Sequence, residues 1–257
     1  MDDFVSFGVF DKAANVDIDR RFLPHWFQPG VATFITFRTA DSMPREVVEK
    51  WRAELRAWLG RRGVVLRIDE KLPTVEQLQR RIDGGREFLG RESDGGASGH
   101  NKTQNTDGGA SGHIDGVDVV GEYFKLRNSL WHGFLDECHG ACVLRSRELA
   151  AIELDSLKHF DGDRYDLDSA IIMPNHVHLI AQFRPPVTCR EQCTSWLHYT
   201  AHQINQRIGS KGAFWQSEPF DHLIRSEEQF FYLQSYIAQN GIAANLPESQ
   251  YLYWSRQ

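Results

Sequence analysis

The stretch IIMPNHVHLIAQF (residues 171–183) decides the fold, and it contains two histidines one residue apart. Its apolar residues form a run of strand length that a Pro-Asn pair interrupts. Side chains at i and i+2 of a strand point to the same face, so we expect His176 and His178 to project together. Val177 and Leu179 would then face the other way. The two imidazoles are either half of a divalent-metal site or structural histidines of a half-exposed strand.

The composition is that of a soluble globular protein. The chain has 257 residues, with 41% hydrophobic and 25% charged residues, which suits one large domain or two small ones. No apolar run reaches the roughly 20 residues needed to cross a bilayer. The N-terminus begins with acidic residues rather than the basic segment of a secretory signal, so we expect a cytoplasmic protein.

The net charge of −6 argues against a surface coated with phosphate-binding lysines. The excess of acid lies before residue 171, and residues 171–257 carry no net charge. A nucleic acid partner would therefore contact a local patch in the C-terminal part of the chain.

Strands and helices alternate in the hydrophobic pattern. Residues 31–39 alternate as a strand does, and the following segment predicts a helix with Ser42 as its N-cap and Pro44 in its first turn. A second helix is expected from Thr74, where Thr74 and Gln77 have the spacing of a capping box. Further helices are predicted at 119–131, 147–158, about 190–208 and about 227–240, and a short strand at 141–144. This pattern indicates an α+β fold.

A glycine-rich segment at residues 92–116 divides the chain. The motif DGGASGH occurs at 94–100 and again at 107–113. Such a composition cannot bury enough apolar surface to offset its ordering entropy, so we predict a flexible insert made by local duplication. The alternative is a histidine-containing metal tract through His100 and His113. On this reading, residues 1–91 and 117–257 are two parts of the same domain.

The last predicted helix contains a second group of candidate residues. Ser226 can cap it, and Tyr232, Tyr236 and Asn240 follow at i, i+4 and i+8 and share one face. This face either packs in the core or carries chemistry.

DNA strand transfer is a chemistry that requires two imidazoles, an amide oxygen and a phenol together. Mg²⁺ or Mn²⁺, held by His176, His178 and the amide of Asn240, would polarise a scissile phosphate. The phenol of Tyr236 would attack phosphorus and form a covalent 5′-phosphotyrosine.

Four segments carry a resemblance to a known family: MPNHVHLI at 173–180, SWLHYTAHQIN at 195–205, GAFWQSEPFDHLIRSEEQF at 212–230 and YIAQNGIAANL at 236–246. Together they resemble the REP-associated tyrosine transposases, which are single-tyrosine members of the HUH endonuclease superfamily. The resemblance implies a ferredoxin-like core whose antiparallel sheet has the histidine strand at its centre and helices packed on it. His176 and His178 match the histidine pair, Tyr236 the nucleophile and Asn240 the asparagine of the tyrosine motif.

The resemblance implies a metal-dependent endonuclease and strand transferase that acts on hairpin-associated single-stranded DNA as a monomer or a homodimer. The alternative is a domesticated or decayed copy that binds hairpin DNA without cutting it. A histidine-triad hydrolase fits less well, because Ile180 stands where that pattern needs a third histidine. The chain departs from the REP-associated tyrosine transposases at two positions, with Gly241 in place of proline and Leu197 in place of lysine.

The candidate DNA contacts are basic or aromatic side chains of the C-terminal part. Arg225 either contacts phosphate or pairs with Asp221 four residues earlier. Trp215 either packs in the core or stacks on a base. The full set of candidates is Arg225, His198, His202, Arg207, Lys211 and Trp215.

Overall fold

The computed structural model describes residues 7–20, 24–93, 113–114 and 117–256. In chain order the elements are β1 (Asp17–Arg20), β2 (Pro24–Phe27), β3 (Ala32–Arg38), α1 (Arg45–Gly60), α2 (Val75–Ser93), β4 (His113–Ile114), β5 (Val117–Asp118), α3 (Val119–Asp136), α4 (Arg147–Lys158), β6 (Tyr165–Ile172), β7 (His176–Phe183), α5 (Cys189–Ile208), β8 (Phe220–Leu223), α6 (Glu227–Ala243) and β9 (Leu252–Ser255).

The chain forms two compact units, one of Met1–Pro44 with Leu135–Gln257 and one of Arg45–Phe134. The second unit includes helices on both sides of residues 92–116. The predicted flexible insert itself falls mostly on residues 94–112 and 115–116, which lie outside the described residues.

The second unit contains α1, α2 and α3. The predicted capping box of α2 is confirmed, since the backbone N–H of Thr74 donates to Gln77 Oε1 at 3.0 Å and that of Gln77 donates to Thr74 Oγ1 at 3.3 Å. Trp51 of α1 packs edge-on against Trp131 of α3 at 5.0 Å between ring centroids. Aromatic packing therefore joins the first and third helices of this unit.

The first unit is built on a five-stranded antiparallel sheet of order β8-β3-β7-β6-β9. With residues 45–134 left aside, β3, α4, β6, β7, α5 and β8 follow one another along the chain as βαββαβ, and the four strands have the spatial order 4-1-3-2. This is the ferredoxin-like topology, and β9 extends it at the edge beside β6. The expectation of an α+β fold with the histidine strand at the centre of the sheet is confirmed.

Two details differ from the local predictions. Residues 171 and 172 end β6, and the histidine strand begins only at His176, because a turn closed by the Met173 N–H donating to the His176 carbonyl at 2.8 Å separates them. The segment 141–144, expected as a strand, leads into a 3₁₀ helix at Val143–Arg145. Cys142 before it has φ of 50°, a left-handed conformation that an extended strand excludes.

The two faces of the sheet are covered by different helices. On one face, Leu179 and Trp196 belong to a large apolar cluster with residues of α4 and α5. On the other face, Ile180 packs with Leu233 and Ile237 of α6 in a smaller cluster. The last helix therefore lies against the sheet face opposite to the two crossover helices.

Candidate active site

The two histidines lie on the central strand, and both are fully buried. Their ring centroids are 4.7 Å apart. On the neighbouring strand β3, Thr36 lies opposite His178 and Arg38 lies opposite His176. The expected alternation is found, because Val177 and Leu179 belong to the cluster on the other face.

Each imidazole is held at its Nδ1 atom. Asn175 Oδ1 lies 2.8 Å from His176 Nδ1, and Asn175 Nδ2 donates to the carbonyl of His139 at 2.9 Å. Because a carbonyl oxygen only accepts, this network places the proton of His176 on Nδ1 and the lone pair on Nε2. Thr36 Oγ1 lies 2.8 Å from His178 Nδ1 and can accept its proton in the same way. Both rings can therefore present Nε2 as a ligand.

Tyr236 lies over the second histidine. Its phenol oxygen is 3.4 Å from His178 Nε2, and the two ring centroids are 5.3 Å apart. Phe34 stacks on His178 at 5.4 Å and contacts the Tyr236 ring edge-on at 6.2 Å. Helix α6 is anchored by Gln234 Nε2, which donates to Asp168 Oδ1 of β6 at 3.1 Å. The sheet and the helix thus hold a phenol beside an imidazole pair.

Asn240 follows one turn after Tyr236 and is 1% exposed. Neither its Oδ1 nor its Nδ2 has a hydrogen-bond partner among the described residues. A buried amide that loses its water without gaining a partner costs about 1–3 kcal/mol. A cation bound through Oδ1 would satisfy the oxygen, which makes this residue the third candidate ligand.

The donor set fits a hard divalent cation. Within the part of the chain that the structure describes, no group of three or more His, Cys, Asp or Glu side chains is placed to bind a metal. A site at the imidazole pair would therefore need a ligand of another kind, and the unpaired amide oxygen of Asn240 is the candidate, with water or a phosphate oxygen in the other positions. Two nitrogens with several oxygens suit Mn²⁺ or Mg²⁺ better than a closed structural zinc site.

Gly241, which replaces proline in the resemblance, has a packing role. It lies inside the last turn of α6, and a Cβ built on it would be 2.4–2.6 Å from ring atoms of Tyr251. The helix continues past Gly241 and ends at Ala243. Close approach of the tyrosine ring, rather than helix termination, requires glycine here.

Two further residues share the histidine face, and the sequence analysis did not select them. Arg38 is opposite His176, and burial lowers the pKa of its guanidinium to about 10, so it stays cationic at neutral pH. His222 of β8 is opposite Phe34, with 5.3 Å between ring centroids. Only the strand register places these residues beside the imidazole pair, and no local sequence pattern encodes that register.

The predicted DNA contacts fall in different environments. His198, His202 and Lys211 are exposed, and Arg207 lies 3.6 Å from Glu148 in an exposed ion pair. Trp215 is buried, and its indole N–H donates to Thr200 Oγ1 at 2.9 Å, which supports the core-packing alternative.

Arg225 is exposed, and among the described residues its side chain makes no ion pair with Asp221. A phosphate contact by this guanidinium is therefore compatible with the structure.

Comparisons with known proteins give one weak similarity. No family model and no curated protein matches the chain. A solved structure of a REP-associated tyrosine transposase bound to a REP hairpin is similar to it, with 19% identity and a TM-score of 0.33 over 41% of this chain and 62% of that one. The chain thus spans less than two thirds of that protein. These values are too low to assign a function.

In the part of the chain that the structure describes, no helix has the length and apolar character needed to cross a membrane.

Proposed function

We propose that this chain is a metal-dependent endonuclease and strand transferase for hairpin-associated single-stranded DNA, with Tyr236 as its nucleophile. One observation carries the proposal. The phenol oxygen of Tyr236 lies 3.4 Å from Nε2 of His178, on the sheet face that also holds His176. Asn240, the next residue on that helix face, is buried with an unpaired amide oxygen.

The reaction exchanges one phosphate ester for another. Tyr236 Oη attacks phosphorus, the bond from phosphorus to the 3′-oxygen breaks, and a 5′-phosphotyrosine forms. The phenol loses its proton to solvent, and the departing 3′-oxygen takes one up. Attack by a 3′-hydroxyl on the phosphotyrosine reverses the step, so rejoining needs no nucleotide cofactor.

The protein's contribution is to hold the reacting groups in place. His176, His178 and Asn240 would bind Mg²⁺ or Mn²⁺, which would polarise the phosphate and offset the charge that develops during in-line displacement. The phenol contact to His178 Nε2 would give way when that nitrogen binds the cation. Phe34 supports both the imidazole and the phenol ring, so the attacking oxygen stays close to the phosphate.

Tyr236→Phe tests the proposal, because it keeps the ring and removes only the nucleophilic oxygen. We expect this variant to bind hairpin DNA as the wild type does and to form no covalent adduct with Mn²⁺, as measured by denaturing gel and mass spectrometry. Tyr232→Phe is the matched control and should form the adduct. An adduct that persists in Tyr236→Phe would refute the assignment. A wild-type protein that binds hairpin DNA but forms no adduct would support the non-catalytic alternative.

A further inference from the structure

Beyond its acidic first turn, Glu227 and Glu228, the outward side of α6 is unusual in having no charge. From Gln229 to Ala243 the helix contains no acidic or basic residue. Three large apolar or aromatic side chains of this stretch are nevertheless exposed, namely Phe231, Tyr232 and Ile242. A solvent-facing helix side normally carries charged residues, so this composition indicates a surface that contacts another molecule.

Tyr232 is placed differently from the other two. It precedes Tyr236 by one turn, which puts the two Cβ atoms about 5–6 Å apart on one helix face. The Tyr232 side chain is 68% exposed and makes no hydrogen bond or ring contact with the described residues. Its ring is therefore available beside the phenol of Tyr236.

The charge pattern identifies the part of a nucleotide that this ring would meet. A phosphate needs a cation or an N–H donor, and the exposed side of α6 carries no cation beside Tyr232. An unpaired base needs only a flat apolar ring, because every base has a π-face. A base held within a duplex has no free face, so the ring selects single-stranded DNA.

We propose that Tyr232 is a stacking platform for the unpaired base of a nucleotide next to the phosphate that Tyr236 attacks. This inference rests on the proposed function, since Tyr236 sets the position of the phosphate. Stacking there would hold the strand on the helix while the phosphate lies over His176 and His178. The protein would then recognise single-stranded DNA through an unpaired base beside the cleavage position, and not through the sugar-phosphate backbone alone.

The test combines Tyr232→Ala with DNA that lacks single bases. Binding is measured by fluorescence anisotropy in the Tyr236→Phe background, so that cleavage does not disturb the equilibrium. We expect Tyr232→Ala to weaken binding by about 5- to 100-fold, and Tyr232→Phe to bind as Tyr232 does. An abasic nucleotide at one position beside the cleavage site should cause the same loss. Tyr232→Ala should add nothing further on that DNA.

Phe231→Ala is the matched control, because it removes a large exposed ring from the adjacent position, which points about 100° away from Tyr232 and so lies off the face shared with Tyr236. We expect it to bind normally. Losses that add at every abasic position, or an equal loss in Phe231→Ala, would overturn the proposal. A loss that accompanies dissociation of a dimer, seen by sedimentation, would show instead that the surface joins two copies of the chain.

The two hypotheses can fail separately. Coupling between Tyr232 and one base, without any adduct in the wild type, would reject the proposed function and retain the stacking contact. Adduct formation by the wild type without such coupling would reject the stacking contact alone.

Discussion

The two faces of the central sheet differ although the same strands form them. One face buries Val177 and Leu179 against α4 and α5 in a continuous apolar cluster. The alternate residues of the same strand, His176 and His178, point to the other face and are buried under α6. A period of two therefore separates apolar packing from the candidate chemistry on a single rigid element.

The histidine face buries polar groups that are paired in a specific way. Thr36 and Asn175 each hold one imidazole by its Nδ1 atom. Asn240 differs from these two residues, since neither Oδ1 nor Nδ2 of its amide has a hydrogen-bond partner among the described residues. Natural proteins seldom leave such a group unsatisfied without a functional reason. The comparison teaches that the face under α4 and α5 buries the larger apolar cluster, whereas the face under α6 combines a smaller one with the candidate site.

Substitutions of His178 and Leu179, two consecutive residues that point to opposite faces, test this difference between the faces. Loss of a residue that only hydrogen-bonds a metal ligand lowers activity by roughly 10- to 100-fold. His178→Ala removes a candidate ligand itself, so it should reduce the rate of adduct formation by more than that. Leu179→Ala should lower the free energy of unfolding by about 2–5 kcal/mol, because it leaves a cavity in a fully buried cluster. Denaturant unfolding and the gel assay measure the two effects.

The opposite result would contradict the division. If folded Leu179→Ala lost the adduct, or if His178→Ala retained it, stability and chemistry would not be separated by face.

Glu153 on α4 is a buried acid on the face under α4 and α5, which gives a pH test. Burial of Glu153 on α4 raises the pKa of its carboxyl to about 8, against a smaller lowering by the Thr200 hydroxyl. Between the ordinary value near 4.5 and 8, the folded state holds a proton that the unfolded state has lost. The free energy of unfolding should therefore fall by a few kcal/mol as the pH rises through this range.

Glu153→Gln stays neutral and should remove that fall, as measured by urea unfolding at pH 5 and pH 8. Glu148→Gln, at an exposed position of the same helix, is the control and should keep the wild-type dependence. Identical pH profiles for the wild type and Glu153→Gln would show that Glu153 already ionises in the folded protein at low pH.

The periodicity of apolar residues predicted those helices and strands whose pattern lies within the element itself. The strand around β3, the helices α4 and α6, and the facing of His176 and His178 all follow from spacing along the chain. The topology came from the family resemblance, since order in a sheet depends on contacts between distant segments. β9 is an example: its residues pair with residues of β6 that lie 80 to 86 positions earlier in the sequence, and no pattern within its four residues encodes that partner.

The candidate site was predictable in part for the same reason. Tyr236 and Asn240 share a face because of helical periodicity, and the structure places the phenol over His178. The residues that hydrogen-bond the Nδ1 atoms of the two histidines were not predicted from the sequence. Thr36 is 142 residues from His178 in sequence and meets it only through the pairing of β3 with β7. Asn175 was visible, but only as part of a turn.

The smallest of the expected effects concerns the contact between the Thr36 hydroxyl and His178 Nδ1. Thr36→Val keeps the shape of the side chain and removes the hydroxyl that faces His178 Nδ1. The imidazole then loses the group that fixes its orientation, and a buried Nδ1–H is left unpaired. We expect the Mn²⁺ concentration for half-maximal adduct formation to rise by about 10- to 100-fold, while the rate at saturating Mn²⁺ changes less. Thr36→Ser should restore the wild-type value, since it returns the hydroxyl.

Thr33→Val is the matched control, because Thr33 is also buried on β3 but lies an odd number of residues away and so points to the other face. It should leave the Mn²⁺ dependence unchanged. Equal shifts in Thr36→Val and Thr33→Val would mean that the loss reflects general loosening of the strand. A shift confined to Thr36→Val would show that the two faces differ down to single hydroxyl groups, and that orientation of His178 by its strand neighbour controls how tightly the cation is held.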